Sequence, residues 1–444
     1  MKIQDFNNTG LCNYASYSTI RQLAGYVDGL KNGSRKVVFT ILEQNIKSKL
    51  KVLQLSNKCA EYADYLHGSL DGVVVSLGAN YVGANNLPLV QSYGNFGSRL
   101  APENAAPRYI FGHGHDNLFK LFDANDNAIL DYQTFEGNRI EPKFYTPNLP
   151  MLLVNGSIGL ATGFAQSILP RKPENLAQYC KKYIEGSLTK KDLKLLVPYV
   201  KGFNGTFEQD KENPCKWYVK GRIMRKDKTH LLITEMPLNY DLKSAIKLMD
   251  KLVENKVIED YDDMCDTKAD TFTFLVKMRM ADLDKFTEEQ LLDKLKLIQP
   301  VTENFTSLDE NLKVREFKSA EEIIDAYMKI KLVYNQKRKE YLISKLGADI
   351  DLANSKITFI KAIIDGTLVI SKKKKDVVVK ELEWMKGIIK KDDSYDYLLN
   401  MPLYSLTKER LDKLQEAVSE LKGKLQDIKG KTPEMIFLDD LENI

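Results

Sequence analysis

Residues 91–111 read QSYGNFGSRLAPENAAPRYIF, and this stretch decides how the chain around it is read. Gly94 and Gly97 mark tight backbone turns in a polar run. The run delivers PRYIF, in which Arg108 stands directly before Tyr109. A phenol has a pKa of about 10, so an isolated tyrosine is a poor nucleophile at neutral pH. Neighbouring cations change that, because they favour the phenolate and neutralise charge on a phosphate under attack. Arg108–Tyr109 is therefore a candidate nucleophilic pair. The chain has 22 tyrosines, so the pair alone discriminates little.

Upstream, the apolar spacing predicts helices. Val37, Val38, Ile41 and Leu42 form one stripe, and Val52, Leu55, Cys59, Tyr62 and Leu66 form a second at three- and four-residue steps. A third helix is expected over Ser69–Tyr81, an arrangement compatible with a helix-turn-helix. Basic residues gather here: Arg21, then DGLKNGSRK at 28–36 with Lys31, Arg35 and Lys36. Cations around a turn that opens a helix suit phosphate, since arginines and helix N-termini both favour anions.

Downstream the pattern changes twice. From about 151 to 310, Phe203–Glu208, Trp217–Met224, His230–Met236 and Thr271–Met278 read as strands, with a helix over Leu242–Val253 between them. The last third is helical. Ile323, Tyr327, Ile330, Tyr334 and Tyr341 fall near heptad spacing, and Leu411, Leu414, Val418, Leu421, Leu425 and Ile428 follow it at alternating steps of three and four. The expected class is α+β multidomain, ending in an antiparallel coiled coil that carries a small knob. KKKK at 372–375 falls between the two heptad segments and reads as a solvated turn.

Composition narrows the class without naming an activity. The 444 residues carry 28% charged and 43% hydrophobic side chains and a net charge of +4. That balance suits a globular protein and permits nucleic-acid binding, which depends on clustering of charge rather than its sum. No run approaches the roughly 18 apolar residues of a membrane span, and MKIQDFNNTG has no apolar signal core, so a cytoplasmic location is expected. Five scattered cysteines without a CxxC pair argue against a disulfide framework and a structural zinc site.

Other chemistries find less support. His113-Gly-His115-Asp116 hints at a metallohydrolase, but only four histidines are present and no partner segment completes a metal site. There is no phosphate-binding GxxxxGK[ST] loop. No acidic DxD cluster follows a strand, and DANDN at 123–127 reads as a turn.

Taken in order, VDGLKNGSRKVVFTIL, KVLQLSNKCAEYADYLHG, NYVGANNLPLVQSYGNFGSRL and AAPRYIF resemble the type IIA DNA topoisomerases. The likeness is to the cleavage half of the eukaryotic enzyme and the medium subunit of T-even phage enzymes more than to the gyrase A subunit. It continues through EPKFYTPNLPMLLVNGSIGLATGFAQSILP, VKGFNGTFE, ITEMP and YLLNMPLYSLTKE.

The resemblance implies a winged-helix DNA-cleavage domain at 1–150, a mixed α/β tower domain at 151–310, and a coiled coil with a helical C-terminal dimer gate at 311–444. It implies that Tyr109 attacks a phosphodiester and holds a 5′ end, with Arg108 stabilising the scissile phosphate. Arg21, Lys31 and Arg35 would position the DNA backbone, with Lys36 of the same basic run expected as a further DNA contact. His67 matches the second histidine of the family's YHHG, while Leu66 replaces the first. Ile168 would wedge between base pairs and bend the duplex.

Neither an ATPase nor a toprim-like segment is found. Mg²⁺ and ATP are accordingly expected on a partner subunit that carries both, as in split phage enzymes, with no metal ligands in this chain. The implied whole is a homodimer acting on double-stranded DNA to relax and decatenate it, in the host cytoplasm if phage-encoded. The alternative is a non-catalytic DNA clamp or coiled-coil scaffold.

Overall fold

The structure, a computed structural model, describes residues 3–371, 373–402 and 407–442. Lys372 of the KKKK run and 403–406 of the YLLNMPLYSLTKE motif lie outside the described residues. The chain forms two compact units. One runs to Lys331 and takes back the chain from Asp440, and the other is Leu332–Asp439.

After a short helix at Ile3–Phe6 and a π-helical turn at Asn7–Leu11, the first unit carries four helices: α1 (Cys12–Gln22), α2 (Asn32–Glu43), α3 (Val52–Tyr62) and α4 (Asp71–Gly78). The predicted stripes are the buried faces. Val37, Val38 and Ile41 of α2 and Val52, Leu55 and Cys59 of α3 are fully enclosed. Each such aliphatic side chain contributes about 1.5–3 kcal/mol by leaving water. The third expected helix is shorter than Ser69–Tyr81, and Val74, Val75 and Leu77 of α4 carry its buried face.

Three short strands complete this part: β1 (Leu50–Lys51), β2 (Val90–Tyr93) and β3 (Phe111–Gly114). They form an antiparallel sheet in the order β1-β3-β2, with Phe111 opposite both Lys51 and Tyr93. The strand that follows Tyr109 is thus the central one. Two hairpins come next, β4 (Tyr132–Phe135) with β5 (Asn138–Pro142), and β6 (Ser157–Ala161) with β7 (Phe164–Ile168).

The following region carries two larger sheets. One joins β8 (Thr206–Gln209), β9 (Lys216–Lys220) and β14 (Ile298–Thr302) in the order β14-β9-β8. The other has the order β10-β11-β13-β12, from β10 (Arg222–Arg225), β11 (His230–Glu235), β12 (Asp260–Asp263) and β13 (Phe274–Lys277). Helix α5 (Leu242–Glu254) buries Ala245, Met249 and Leu252 in one core with Leu231, Ile233, Phe274 and Val276. Trp217–Met224, a single strand by composition, is divided at Gly221 because its halves pair with different neighbours. A last hairpin, β15 (Phe305–Leu308) and β16 (Val314–Phe317), precedes α6 (Ala320–Ile364), one helix of 45 residues.

In the second unit Phe359, Leu368, Val378, Leu382, Tyr395 and Leu398 form a separate core. The leucine heptads fall on α7 (Lys408–Gly430), where Val418 is buried and the other heptad positions are half-buried. Lys373 pairs with Glu381 and Lys375 with Asp396, both at 2.6 Å, on the surface.

Candidate functional site

Tyr109 sits where a turn meets the central strand β3. Its N–H bonds to Ala106 O at 2.9 Å. The start of α3 holds the turn from the other side, Val52 N donating to Ile110 O at 2.9 Å and Leu53 N to Pro107 O at 3.2 Å. With Ile110 buried and Tyr109 68% exposed, the phenol is presented outward from a fixed backbone. The Arg108 guanidinium lies 5.1 Å from the Tyr109 ring centroid, a cation held over the aromatic face.

The loop leading to Tyr109 is pinned at several points. Gly94 and Gly97 have φ of 95° and 93°, and a Cβ on Gly97 would lie 2.5 Å from Pro102 O, so glycine is required there. Arg99 donates through Nη1 to Leu238 O at 3.0 Å and to Tyr240 O, and through Nη2 to Met236 O at 3.0 Å and Pro237 O at 2.7 Å. Asp270 accepts from the backbone N–H of Arg99 and of Leu100, at 2.6 and 2.9 Å. The second sheet region thereby grips the loop that carries the nucleophile. Sequence reasoning passed over Arg99 and Asp270, which lie 171 residues apart.

The basic residues near the N-terminus divide into two groups. Arg21 meets His67: its Nη1 donates to Tyr17 Oη at 2.9 Å, and that oxygen is 2.6 Å from His67 Nε2. Arg21 Nη2 reaches Tyr65 Oη at 3.3 Å, and Leu66 beside them is exposed. Lys31 is half-buried, donates to Ile158 O at 2.7 Å, and has its pKa lowered by burial.

Arg35 and Lys36 correct the expectation that they contact DNA phosphates. Arg35 is 2% exposed and bound to Asp28 at 2.7 Å. Burial works against its cation, but the Asp28 charge and hydrogen bonds outweigh that and raise its pKa. Lys36 Nζ is buried against Ala63 O at 2.5 Å and Glu141 Oε2 at 2.8 Å. A buried cation needs such partners, and these two have them inside the protein.

Ile168 is a further correction: at 3% exposed it packs inward, so it is not available as a wedge. The β6–β7 hairpin explains this. Its inward face carries Gly159, Gln166 and Ile168, while Ile158 and Leu160 point the other way and are 79% and 80% exposed. The outward apolar pair was legible from the alternation in SIGLATGF, had each strand been assigned its facing.

His113 and His115 have structural roles. His113 bonds to Tyr93 Oη at 3.1 Å and Gly114 O at 2.8 Å. His115 accepts from Asn117 N at 3.0 Å, capping a short helix, and burial lowers its pKa. Beside them Lys49, not singled out by sequence, lies 4.4 Å from the Tyr93 ring centroid and 4.9 Å from that of Phe111. It is the middle residue of an alternating Lys47, Lys49, Lys51 run.

Residues 21–442 match the family profile of the DNA gyrase/topoisomerase IV A subunit. The chain is 31% identical to the mitochondrial DNA topoisomerase 2 of Dictyostelium discoideum, covering 99% of this chain and 35% of that one. It is likewise 31% identical to DNA topoisomerase 2 of Plasmodium falciparum, over 99% and 34% respectively. It therefore spans about a third of the length of the curated relatives it matches. Among solved structures, the Plasmodium falciparum topoisomerase II DNA-binding, cleavage and re-ligation domain superposes with a TM-score of 0.90. That match has 31% identity and covers 99% of this chain and 63% of the other.

Proposed function

From a chain that belongs to the family of DNA gyrase/topoisomerase IV A subunits, we propose the DNA-breakage-and-reunion part of an ATP-dependent type II DNA topoisomerase. The observation that carries this reading is an exposed Tyr109 on a rigid turn beneath the Arg108 guanidinium. Its phenolate oxygen bonds to a backbone phosphorus as the bond from phosphorus to the ribose 3′ oxygen breaks. The released oxygen takes up a proton, and the 5′ end stays on Tyr109. One ester replaces another, so resealing is the same exchange in reverse and needs no external fuel.

Arg108 offsets the charge that builds on the phosphate oxygens. Arg21 and His67 form a second group of phosphate donors, and Lys31 sits beside the hairpin that meets the duplex. Leu160, with Ile158 next to it, takes the wedge role. An apolar side chain forced between base pairs costs unstacking energy and yields a bent duplex that contacts more protein.

The family implies Mg²⁺, but the residues flanking Tyr109 are Arg108 and apolar groups. Among the described residues no group of three or more His, Cys, Asp or Glu side chains is gathered for a metal. This donor set does not fit a divalent cation; Mg²⁺ and ATP are proposed to bind a partner subunit with ATPase and toprim domains.

The domain reading is a winged-helix cleavage domain to about 150, a tower to about 310, and then a coiled coil with a dimer gate. An outward Trp384, 88% exposed in the second unit, supports a homodimer contact there. Among the described residues no helix is long and apolar enough to cross a membrane, and the proposed site of action is the cytoplasm, the host's if the gene is a phage's. Relaxation and decatenation of double-stranded DNA are the expected outcomes.

The test combines the chain with its partner subunit, Mg²⁺ and labelled plasmid, followed by detergent. Protein attached to 5′ ends is expected, and Tyr109→Phe should abolish it while DNA binding persists. Unchanged adduct in that variant moves the nucleophile elsewhere.

A further inference from the structure

Tyr17 lies one helical turn before Arg21 on α1 and belongs to none of the motifs above. Its phenolic oxygen is the meeting point of the Arg21–His67 group. Arg21 Nη1 donates to it at 2.9 Å, His67 Nε2 is 2.6 Å away and Nδ1 is 3.2 Å away. The Tyr17 and Tyr65 rings flank the imidazole, with centroids at 5.4 and 5.8 Å. These groups line a cavity of about 210 Å³ with Asn32, Lys36, Asp64 and Phe135.

The protons in this cluster can be counted. A hydroxyl offers one proton and two lone pairs, and a guanidinium only donates. Arg21 therefore fills one lone pair of the Tyr17 oxygen, and the single O–H is free for the nearer imidazole nitrogen. Two arrangements fit the 2.6 Å contact: the O–H donates to Nε2, leaving the ring proton on Nδ1, or the second lone pair accepts from an Nε2–H. Lys36, which also lines the cavity, is matched by Glu141 at 2.8 Å. Asp64, on the loop of His67, is the one acidic group lining the cavity.

We propose that Tyr17 is a positioning residue that ties Arg21 and His67 into one preset donor array, its O–H donating to His67 Nε2 before DNA arrives. The proposal rests on the reading of Arg21 and His67 as phosphate-facing groups. Without Tyr17, Arg21 keeps its 3.3 Å bond to Tyr65 but is no longer joined to the imidazole, and a phosphate must order the two more fully on binding.

The test begins with the chain free of DNA, using ¹⁵N-labelled imidazole and nuclear magnetic resonance at neutral pH. Wild type should show His67 protonated on Nδ1, and Tyr17→Phe should shift it toward Nε2–H. A wild-type His67 protonated on Nε2, or a tautomer unchanged in Tyr17→Phe, overturns the proposal. With partner subunit, Mg²⁺ and DNA, Tyr17→Phe should slow adduct formation roughly 10-fold, the scale seen for groups that orient a reactive side chain. DNA affinity should fall by less than the rate does, because the phosphate donors themselves remain. Tyr17→Gln, whose amide both accepts and donates, should recover part of the rate, whereas equal rates in wild type and Tyr17→Phe refute the positioning role. Absence of adduct even in wild type would instead sink the cleavage reading, leaving the tautomer measurement to judge Tyr17 by itself.

Discussion

Arg35 and Asp28 form a two-point ion pair, Nε to Oδ2 at 2.7 Å and Nη2 to Oδ1 at 3.1 Å, sealed from solvent on both sides. Asp28 also accepts from Leu30 N at 3.0 Å and Tyr145 N at 3.1 Å, and Arg35 Nη2 donates to Leu30 O at 3.0 Å. The pair knots the loop before α2 to the segment after β5.

Removing one partner of such a pair leaves a buried charge uncompensated, so Arg35→Ala should cost about 3–5 kcal/mol of stability in urea titration. The salt dependence of DNA binding should be unchanged in protein that remains folded. Arg21→Ala should behave oppositely, with little loss of stability and a slope of log K against log salt flatter by about 0.9, one phosphate contact. If Arg35→Ala kept full stability and flattened the slope, the phosphate-contact reading would be restored.

The β6–β7 hairpin allows a paired comparison. Leu160→Ala removes an exposed side chain and should alter stability by less than about 0.5 kcal/mol. Ile168→Ala opens a cavity in the core and should cost about 2–5 kcal/mol. For bending, measured by energy transfer between dyes at the ends of a short duplex, the order should invert. Leu160→Ala should straighten the DNA, whereas Ile168→Ala, at a temperature where it is folded, should bend it normally. A bend lost only in Ile168→Ala would return the wedge to that residue.

These cases show what a sequence carries and what it withholds. The buried faces of α2 and α3 were readable at Val37, Val38, Ile41, Val52 and Leu55, because helical burial repeats locally at three and four residues. The turns before Tyr109 were legible from Gly94 and Gly97, both at positive φ, while the role expected of Tyr109 came from the family resemblance and not from its neighbours. Arg35 and Lys36 were not, because a cation reads as surface until its counter-charge is known, and Glu141 lies 105 residues from Lys36. Ile168 failed for another reason: alternate strand positions face opposite ways, and which way depends on what the hairpin packs against. The division of Trp217–Met224 depended on sheet partners from other parts of the chain.

The cysteines give a prediction against pH. Burial pushes the Cys59 and Cys180 thiols up to about 12, from an ordinary value near 9. A raised folded-state pKa contributes stability that is full below the unfolded value and lost as pH rises through the window from about 9 to 12. Thermal midpoints should therefore fall across that window, and Cys59→Ala/Cys180→Ala should show a shallower fall. At pH 8 a thiol reagent should modify exposed Cys12 first and leave Cys59 and Cys180 untouched until unfolding. Early labelling of Cys59 would mean that α3 opens locally.

Arg99 and Asp270 provide the most direct link between the sheet region and the nucleophile. Arg99 serves four carbonyls from 236 to 240 at once, and Asp270, held at a φ of 56°, takes the two amides that follow Ser98. A lysine has one nitrogen where the guanidinium presents a planar fork, so Arg99→Lys cannot satisfy the same set. Left-handed backbone at Asp270 costs about 1–3 kcal/mol and persists because its carboxylate is over-determined by those amides. Asp270→Gly should relieve that strain while releasing the loop, so it should lower stability less than Arg99→Ala does. Both should slow adduct formation by at least 10-fold, since displacing a reacting atom by about 1 Å can cost 100-fold. Single-turnover cleavage with saturating DNA separates this from weaker binding. If both variants cleave at the wild-type rate, Tyr109 is held by its own turn and the sheet region exerts no grip on the chemistry.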